Sequence, residues 1–339
     1  MCRSLLVLLF IGCCIGCRPA ELDLPEPESP LPEKDPAKET EAALTLGAIL
    51  NTTIRYGMMS ASNPNSCLTV TTSASGNERR IVLDFGSGCT LMENGRTLSG
   101  IIEIFHFAGS GGLTATGFAS NAGFFRIQNL MIDGVDVELV YSGAGTPDPK
   151  FYGSPDNAYA VLFSIDSSTE FRMTYPDGKR IEVIPVYSPQ VFVEIEFDQV
   201  PELSYEELLQ TDYTFRFPAN TNSSGSPRVF NDFVSYDATG AQTRQGSFGT
   251  DSGTGLTLSP NDCGYFKTGQ LMLYQQLNPA FFPPFDNDYG FGKNNYGYEK
   301  TNIVDLGGAP AGQPIGGCDA FATICDQNGT NCSTEQIFY

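Results

Sequence analysis

The chain has 339 residues, with 19 Lys and Arg against 39 Asp and Glu, one His and no Trp. A net charge of −20 excludes a nucleic-acid binder, which needs a basic footprint, and a single His excludes a multi-histidine zinc site. With 36 Gly, 22 Pro and only 17% charged residues, the composition disfavours coiled coils and long helices.

In chain order, residues 1–17 (MCRSLLVLLFIGCCIGC) place Arg3 before an apolar run from Leu5 to Ile11. That run is too short to span a bilayer as a mature helix and reads as an export signal. Gly12-Cys13 and Gly16-Cys17 follow it, and a small residue before Cys at this place resembles the bacterial lipoprotein cleavage site. That resemblance implies a lipidated Cys as the new N-terminus. We expect Cys17, with Cys13 as the alternative, because cleavage at Cys13 leaves a very short signal and two stray thiols. Residues 18–39, rich in Pro and carboxylates, read as a disordered tether. Thr40 to Leu50 is expected to be a short helix.

From about Ser66 the pattern has period two. Ile81 to Leu83, Gly100 to Phe107, Val135 to Tyr141, Val191 to Phe197, Tyr213 to Phe217, Val229 to Tyr236 and Leu271 to Tyr274 read as strands. Phe171 to Ile184 reads as a hairpin turning at Pro176-Asp177-Gly178-Lys179, since an Asp-Gly pair suits a turn that needs positive φ. Glu202 to Gln210 suggests one or two helical turns, and 278–298 an irregular aromatic loop. The expected fold is all-β, with antiparallel sheets in a sandwich-like or extended meander arrangement and at most one or two short helices. It divides into β regions 40–200 and 201–339, or forms one continuous domain.

Beyond the leader, six cysteines remain: Cys67, Cys89, Cys263, Cys318, Cys325 and Cys332. In an exported protein an even set implies disulfides. We expect Cys67–Cys89, Cys263–Cys318 and Cys325–Cys332, each joining neighbouring strand ends. The two ends of the body also share a weak repeat. Cys67-Leu-Thr-Val leads to Ile81-Val-Leu-Asp84-Phe85-Gly86 and Cys89, and Cys263-Gly-Tyr-Phe leads to Ile303-Val-Asp305-Leu306-Gly307 and Cys318.

Asp84-Phe85-Gly86-x-Gly88-Cys89, followed by Asn94-Gly95-Arg96-Thr97-Leu98-Ser99-Gly100, resembles a family of Bacteroidota envelope lipoproteins of unknown function. Gly317-Cys318-Asp319 resembles that family's closing block. The likeness runs from about residue 61 to the C-terminus and is faintest between Pro201 and Gly255. It implies a bacterial outer-membrane location, periplasmic or surface-exposed, and a β body. It carries no catalytic residues.

Candidate chemistry is sparse. Asp84 and Asp305 occupy matching positions in the repeat and read as turn-capping carboxylates rather than as the paired acids of a glycosidase. Asp286-Asn287-Asp288 echoes a calcium loop, but position 12 of such a loop falls on Gly297. His106 alternates with Phe105 and Phe107 along a strand, with no nucleophile motif beside it. Phe281, Phe282, Phe285 and Tyr289 offer rings for stacking on a glycan or an envelope protein. No cofactor motif is present. The expected protein is therefore lipid-anchored in the envelope, with a non-catalytic binding, adhesive or structural role. A carbohydrate-binding accessory protein or glycoside hydrolase is the alternative, and a fimbrial-type subunit a further one.

Overall fold

The computed structural model describes residues 35–58, 66–76, 78–91, 96–107, 113–114, 117–118, 123–141, 148–153, 160–165, 169–185, 191–197, 213–217, 220–221, 227–228, 231–250, 255–258, 266–276, 298–306 and 321–337. Both proposed lipidation positions, Cys13 and Cys17, lie outside these residues, as do Cys263, Cys318, the 202–210 segment and the aromatic loop with Asp286 and Asp288. Residues from Lys34 to the C-terminus form one compact unit.

The fold is antiparallel β with one helix among the described residues. The helix differs from the expected short one: it runs from Pro36 to Met58, 23 residues. Its start absorbs residues 36–39, which the sequence reading gave to the tether. The cause is local. Asp35 caps the helix by accepting from the Lys38 amide at 3.1 Å, and Pro36 fills the first helical position, where no amide donor is needed. The helix is buried almost all round. Ala42, Ala43, Leu44, Leu46, Ile49 and Leu50 are at most 1% exposed, and Thr40, Thr45, Thr52 and Thr53 are buried with them. The hydroxyls of Thr40 and Thr53 donate back to the carbonyls of Pro36 and Ile49, so neither enters the core unpaired.

Nineteen strands make a single sheet system, built around two long strands that fork. Gly123–Ile132 pairs along one edge with Thr97–Phe107. Its other edge is shared: Leu130 to Ile132 pair with Val135–Tyr141, and Gly123 and Phe124 with Lys150–Gly153. Phe266–Gln276 behaves in the same way. One edge takes Tyr298–Leu306, and the other is divided between Gln242–Thr250 and Leu256–Leu258.

Two branches join these long strands. One runs through Val135–Tyr141, Thr169–Thr174, Arg180–Pro185, Asn231–Tyr236 and Gln242–Thr250. The other runs through Lys150–Gly153, Ala160–Ser164, Val191–Phe197, Tyr213–Arg216 and Leu256–Leu258. With five strands in each branch and the two forking strands, the pairing closes a ring of twelve. The branches meet through phenyl rings, with Phe217 edge-on to Phe248 at 4.9 Å, while Phe125 of the first forking strand lies edge-on to Phe163 of the second branch at 6.3 Å. Each such ring contributes roughly 1.5–3 kcal/mol through its burial.

An arm extends from each forking strand. The first passes from Thr97–Phe107 to Glu78–Asp84 and ends at Thr69–Ser75. The second passes from Tyr298–Leu306 to Phe321–Asp326 and ends at Cys332–Gln336. The helix packs against Glu78–Asp84, Thr97–Phe107, Arg180–Pro185 and Phe266–Gln276, which are spread over much of the sheet's width. A sheet can touch one helix at such distant strands only by curling around it. Helix, arms and branches therefore share one hydrophobic core, and no sheet boundary separates 40–200 from 201–339.

The expected hairpin at 169–185 forms. Gly178 takes φ 83°, its amide donates to the Tyr175 carbonyl at 2.9 Å, and Asp177 accepts from the Lys179 amide at 3.0 Å.

Candidate functional site

The turns at 85–86, 96–97 and 133–134 are tied to their neighbouring strands, and Arg96 and Asp133 lie within electrostatic reach of Glu41 on the helix. Phe85 and Gly86 bracket Gly100: the Phe85 amide donates to the Gly100 carbonyl at 3.0 Å, and the Gly100 amide to the Gly86 carbonyl at 3.1 Å. Gly100 sits at a bulge opposite Asn129 with φ +90°, and a Cβ there would lie 2.1 Å from the Asn129 carbonyl oxygen. Only glycine fits. Arg96 is buried and donates through Nε to Asp133 Oδ2 at 2.8 Å, while the Thr97 amide donates to Asp133 Oδ1 at 2.8 Å. Asp133 thus ties the 96–97 turn to the turn that follows Gly123–Ile132. Gly134 in that turn lies beside Pro176 of the 169–185 hairpin.

These turns hold the start of the helix. Lys38 Nζ lies 2.7 Å from Asp177 Oδ2 and 4.3 Å from the centre of the Tyr175 ring. The Tyr175 hydroxyl donates to the Lys38 carbonyl at 3.3 Å, and burial pushes that hydroxyl's pKa well above its ordinary value. Lys179 Nζ lies 3.4 Å from the capping Asp35. On the inner side, Glu39 meets Arg244 of the Gln242–Thr250 strand at 3.0 Å, with both side chains 2% exposed. Arg244 also donates to Thr301 Oγ1 at 2.9 Å, and Thr301 donates to the Leu273 carbonyl at 3.2 Å. Burial lowers the Arg244 pKa, and Glu39 opposes that shift.

Glu41 completes the cluster. Burial raises its carboxyl to about 7, with Lys38 and Arg96 pulling it down and Asp35 and Asp133 pushing it up. The arrangement is a polar clamp. It ties the helix start to the 175–179 turn and to the Gln242–Thr250 strand. Sequence reading found the motif but not its partners, since Glu39 and Arg244, or Arg96 and Asp133, are joined only by the fold.

The other sequence candidates fall elsewhere. Cys67–Cys89 and Cys325–Cys332 are disulfides, closing loops with separations of 22 and 7. Asp84 Oδ1 accepts from the Gly86 amide at 2.8 Å, which is a turn-capping role. Asp305 pairs in register with Gln270 and Thr323 on its own arm. His106 lies in register between Arg79 and Gly123. No group of three or more His, Cys, Asp or Glu among the described residues could hold a metal ion. No helix among them is long and apolar enough to cross a membrane.

Outside the clamp, ionisable side chains form cross-strand ladders. Arg80 pairs with Glu103, and Arg126 grips Asp148 through Nε and Nη2 at 2.8–2.9 Å. Arg126 also covers Phe105 and Phe124, whose rings stack at 4.6 Å. Arg172 and Arg180 share Glu182, and Arg216 joins Glu194 and Glu196.

Fold and clamp together define a disulfide-stapled, all-antiparallel β protein wrapped around one helix. None of the known protein families, curated proteins or solved structures compared with the chain matches it.

Proposed function

We propose that the protein is a lipid-anchored component of a bacterial outer membrane, tethered through Cys17, whose body has a non-catalytic binding, adhesive or structural role. The observation that carries this reading is how the body holds the helix that begins at Pro36. That helix is capped by Asp35, clamped by Glu39–Arg244 and Lys38–Asp177, and buried at most positions from Glu39 to Thr53. A pull on the chain at Asp35 would therefore act on the core rather than on a surface loop. Disulfides at Cys67–Cys89 and Cys325–Cys332 suit an oxidising compartment.

Metabolic labelling with an alkyne fatty acid, followed by membrane fractionation, tests the anchor. The wild-type chain should carry label and sediment with membranes, and Cys17→Ala should lose both properties. Loss on Cys13→Ala alone would move the anchor to Cys13. An unlabelled wild-type chain would overturn the proposal.

A further inference from the structure

Thr69–Ser75 is the outermost strand of the first arm. Its sequence is TVTTSAS, and every one of its seven residues is exposed. It pairs with Glu78–Asp84 in unbroken register from Thr69↔Asp84 to Ser75↔Glu78, and no described strand pairs with its other edge. Natural edge strands are usually blunted by charge, proline, a bulge or brevity. This one has none of these features. The opposite end of the sheet, Cys332–Gln336, is shorter, carries Glu335 and begins at the Cys325–Cys332 cross-link.

We propose that Thr69–Ser75 pairs antiparallel with the same strand of a second copy, about a two-fold axis at Thr72. Antiparallel pairing about Thr72 sets Thr71 against Ser73 and Thr69 against Ser75 on one face, and Val70 against Ala74 on the other. Cross-strand Thr–Ser and small apolar pairs are favourable, and no charge meets a like charge within the strand. The nearest charges, Glu78, Arg79, Arg80 and Asp84, sit one strand further in. A two-fold contact closes on itself, whereas joining this edge to Cys332–Gln336 would build an open chain of molecules. The chain's own 18–34 segment is a poorer occupant, because each of its prolines lacks a ladder donor.

Sedimentation equilibrium on the compact body, residues 34–339, tests this with three variants. The wild-type body should reach twice the monomer mass, and Ser333→Lys should do the same. Thr72→Lys, which sets two ammonium groups face to face at the axis, should return it to monomer mass with its circular dichroism unchanged. Thr72→Cys should give a disulfide-linked dimer on oxidation. A wild-type body that stays monomeric, a dimer indifferent to Thr72→Lys, or larger assemblies broken by Ser333→Lys would each overturn the proposal.

Discussion

Two hairpins in this molecule share a sequence pattern and meet opposite fates. Thr69–Ser75 with Glu78–Asp84, and Phe266–Gln276 with Tyr298–Leu306, each lead into an Asp placed one residue before an apolar residue and Gly. Asp84 pairs in register with Thr69, and Asp305 with Gln270. Yet the leading strand of the first hairpin is exposed throughout, while that of the second is a forking strand with Leu271 and Leu273 fully buried. The difference lies in the strand chemistry. TVTTSAS offers one medium-sized apolar side chain, Val70, and so can only form an edge. The alternating Leu271, Leu273 pair has an apolar face to bury, and so can seat two branches and the helix. The shared Asp-apolar-Gly sequence marks where the second strand of each pair ends; the alternation within the strands fixes their depth in the sheet.

Core truncation should separate the two hairpins most strongly. Leu273→Ala is expected to cost about 3–5 kcal/mol in urea unfolding, and Thr71→Ala less than about 0.5 kcal/mol. Comparable losses at the two positions would place the first hairpin in the core after all.

The clamp binds the second hairpin to the helix through Arg244 and Thr301. Arg244→Met leaves Glu39 buried without its partner and should cost about 3–5 kcal/mol, while the Glu39→Gln/Arg244→Met double variant should recover much of that loss. A double-mutant cycle with no coupling would remove the pair from the account.

Cross-links should act by loop length. Replacing Cys67 and Cys89 by Ala should cost about 3 kcal/mol and loosen the exposed hairpin, and replacing Cys325 and Cys332 about 2 kcal/mol, since the second loop is shorter. Equal losses in denaturant titrations would show that loop closure is not the governing effect.

The smallest effect concerns Glu41, close to the first arm's 96–97 turn. Its carboxyl is raised to about 7 from 4.5, so the folded state holds a proton that the unfolded state has released. Stability is therefore greatest below about pH 4.5 with respect to this group and falls as pH rises to about 7. Glu41→Gln should flatten that slope and stabilise the protein at pH 8 by about 1–2 kcal/mol, allowing for partial solvent screening. Thermal melts across this pH range decide it, and a variant as pH-sensitive as the wild type would contradict the assignment.

Local signals carried much of the fold. Alternation marked Val135–Tyr141 and Val191–Phe197, Asp177-Gly178 marked a turn, and cysteine spacing gave two cross-links that the structure forms. The helix was read too short because it is buried all round. From Glu39 to Thr53 the described side chains leave no exposed stripe and so no amphipathic period to detect, and the Asp35-Pro36 start signal was absorbed into the tether. Gly123–Ile132 escaped notice because its alternation slips at the bulge opposite Gly100, where Asn129 takes φ 49°. The clamp was least legible. Glu39 and Arg244 are far apart in sequence, and nothing local in either segment announces the other.

The central claim is that the helix following the tether is part of the same cooperative core as the second hairpin. Native-state hydrogen exchange tests it most directly. The account predicts that amides from Ala42 to Leu50 exchange as slowly as those of Leu271 and Leu273, and only through global unfolding. Faster exchange of the helix, through an opening that leaves Leu271 and Leu273 protected, would contradict it.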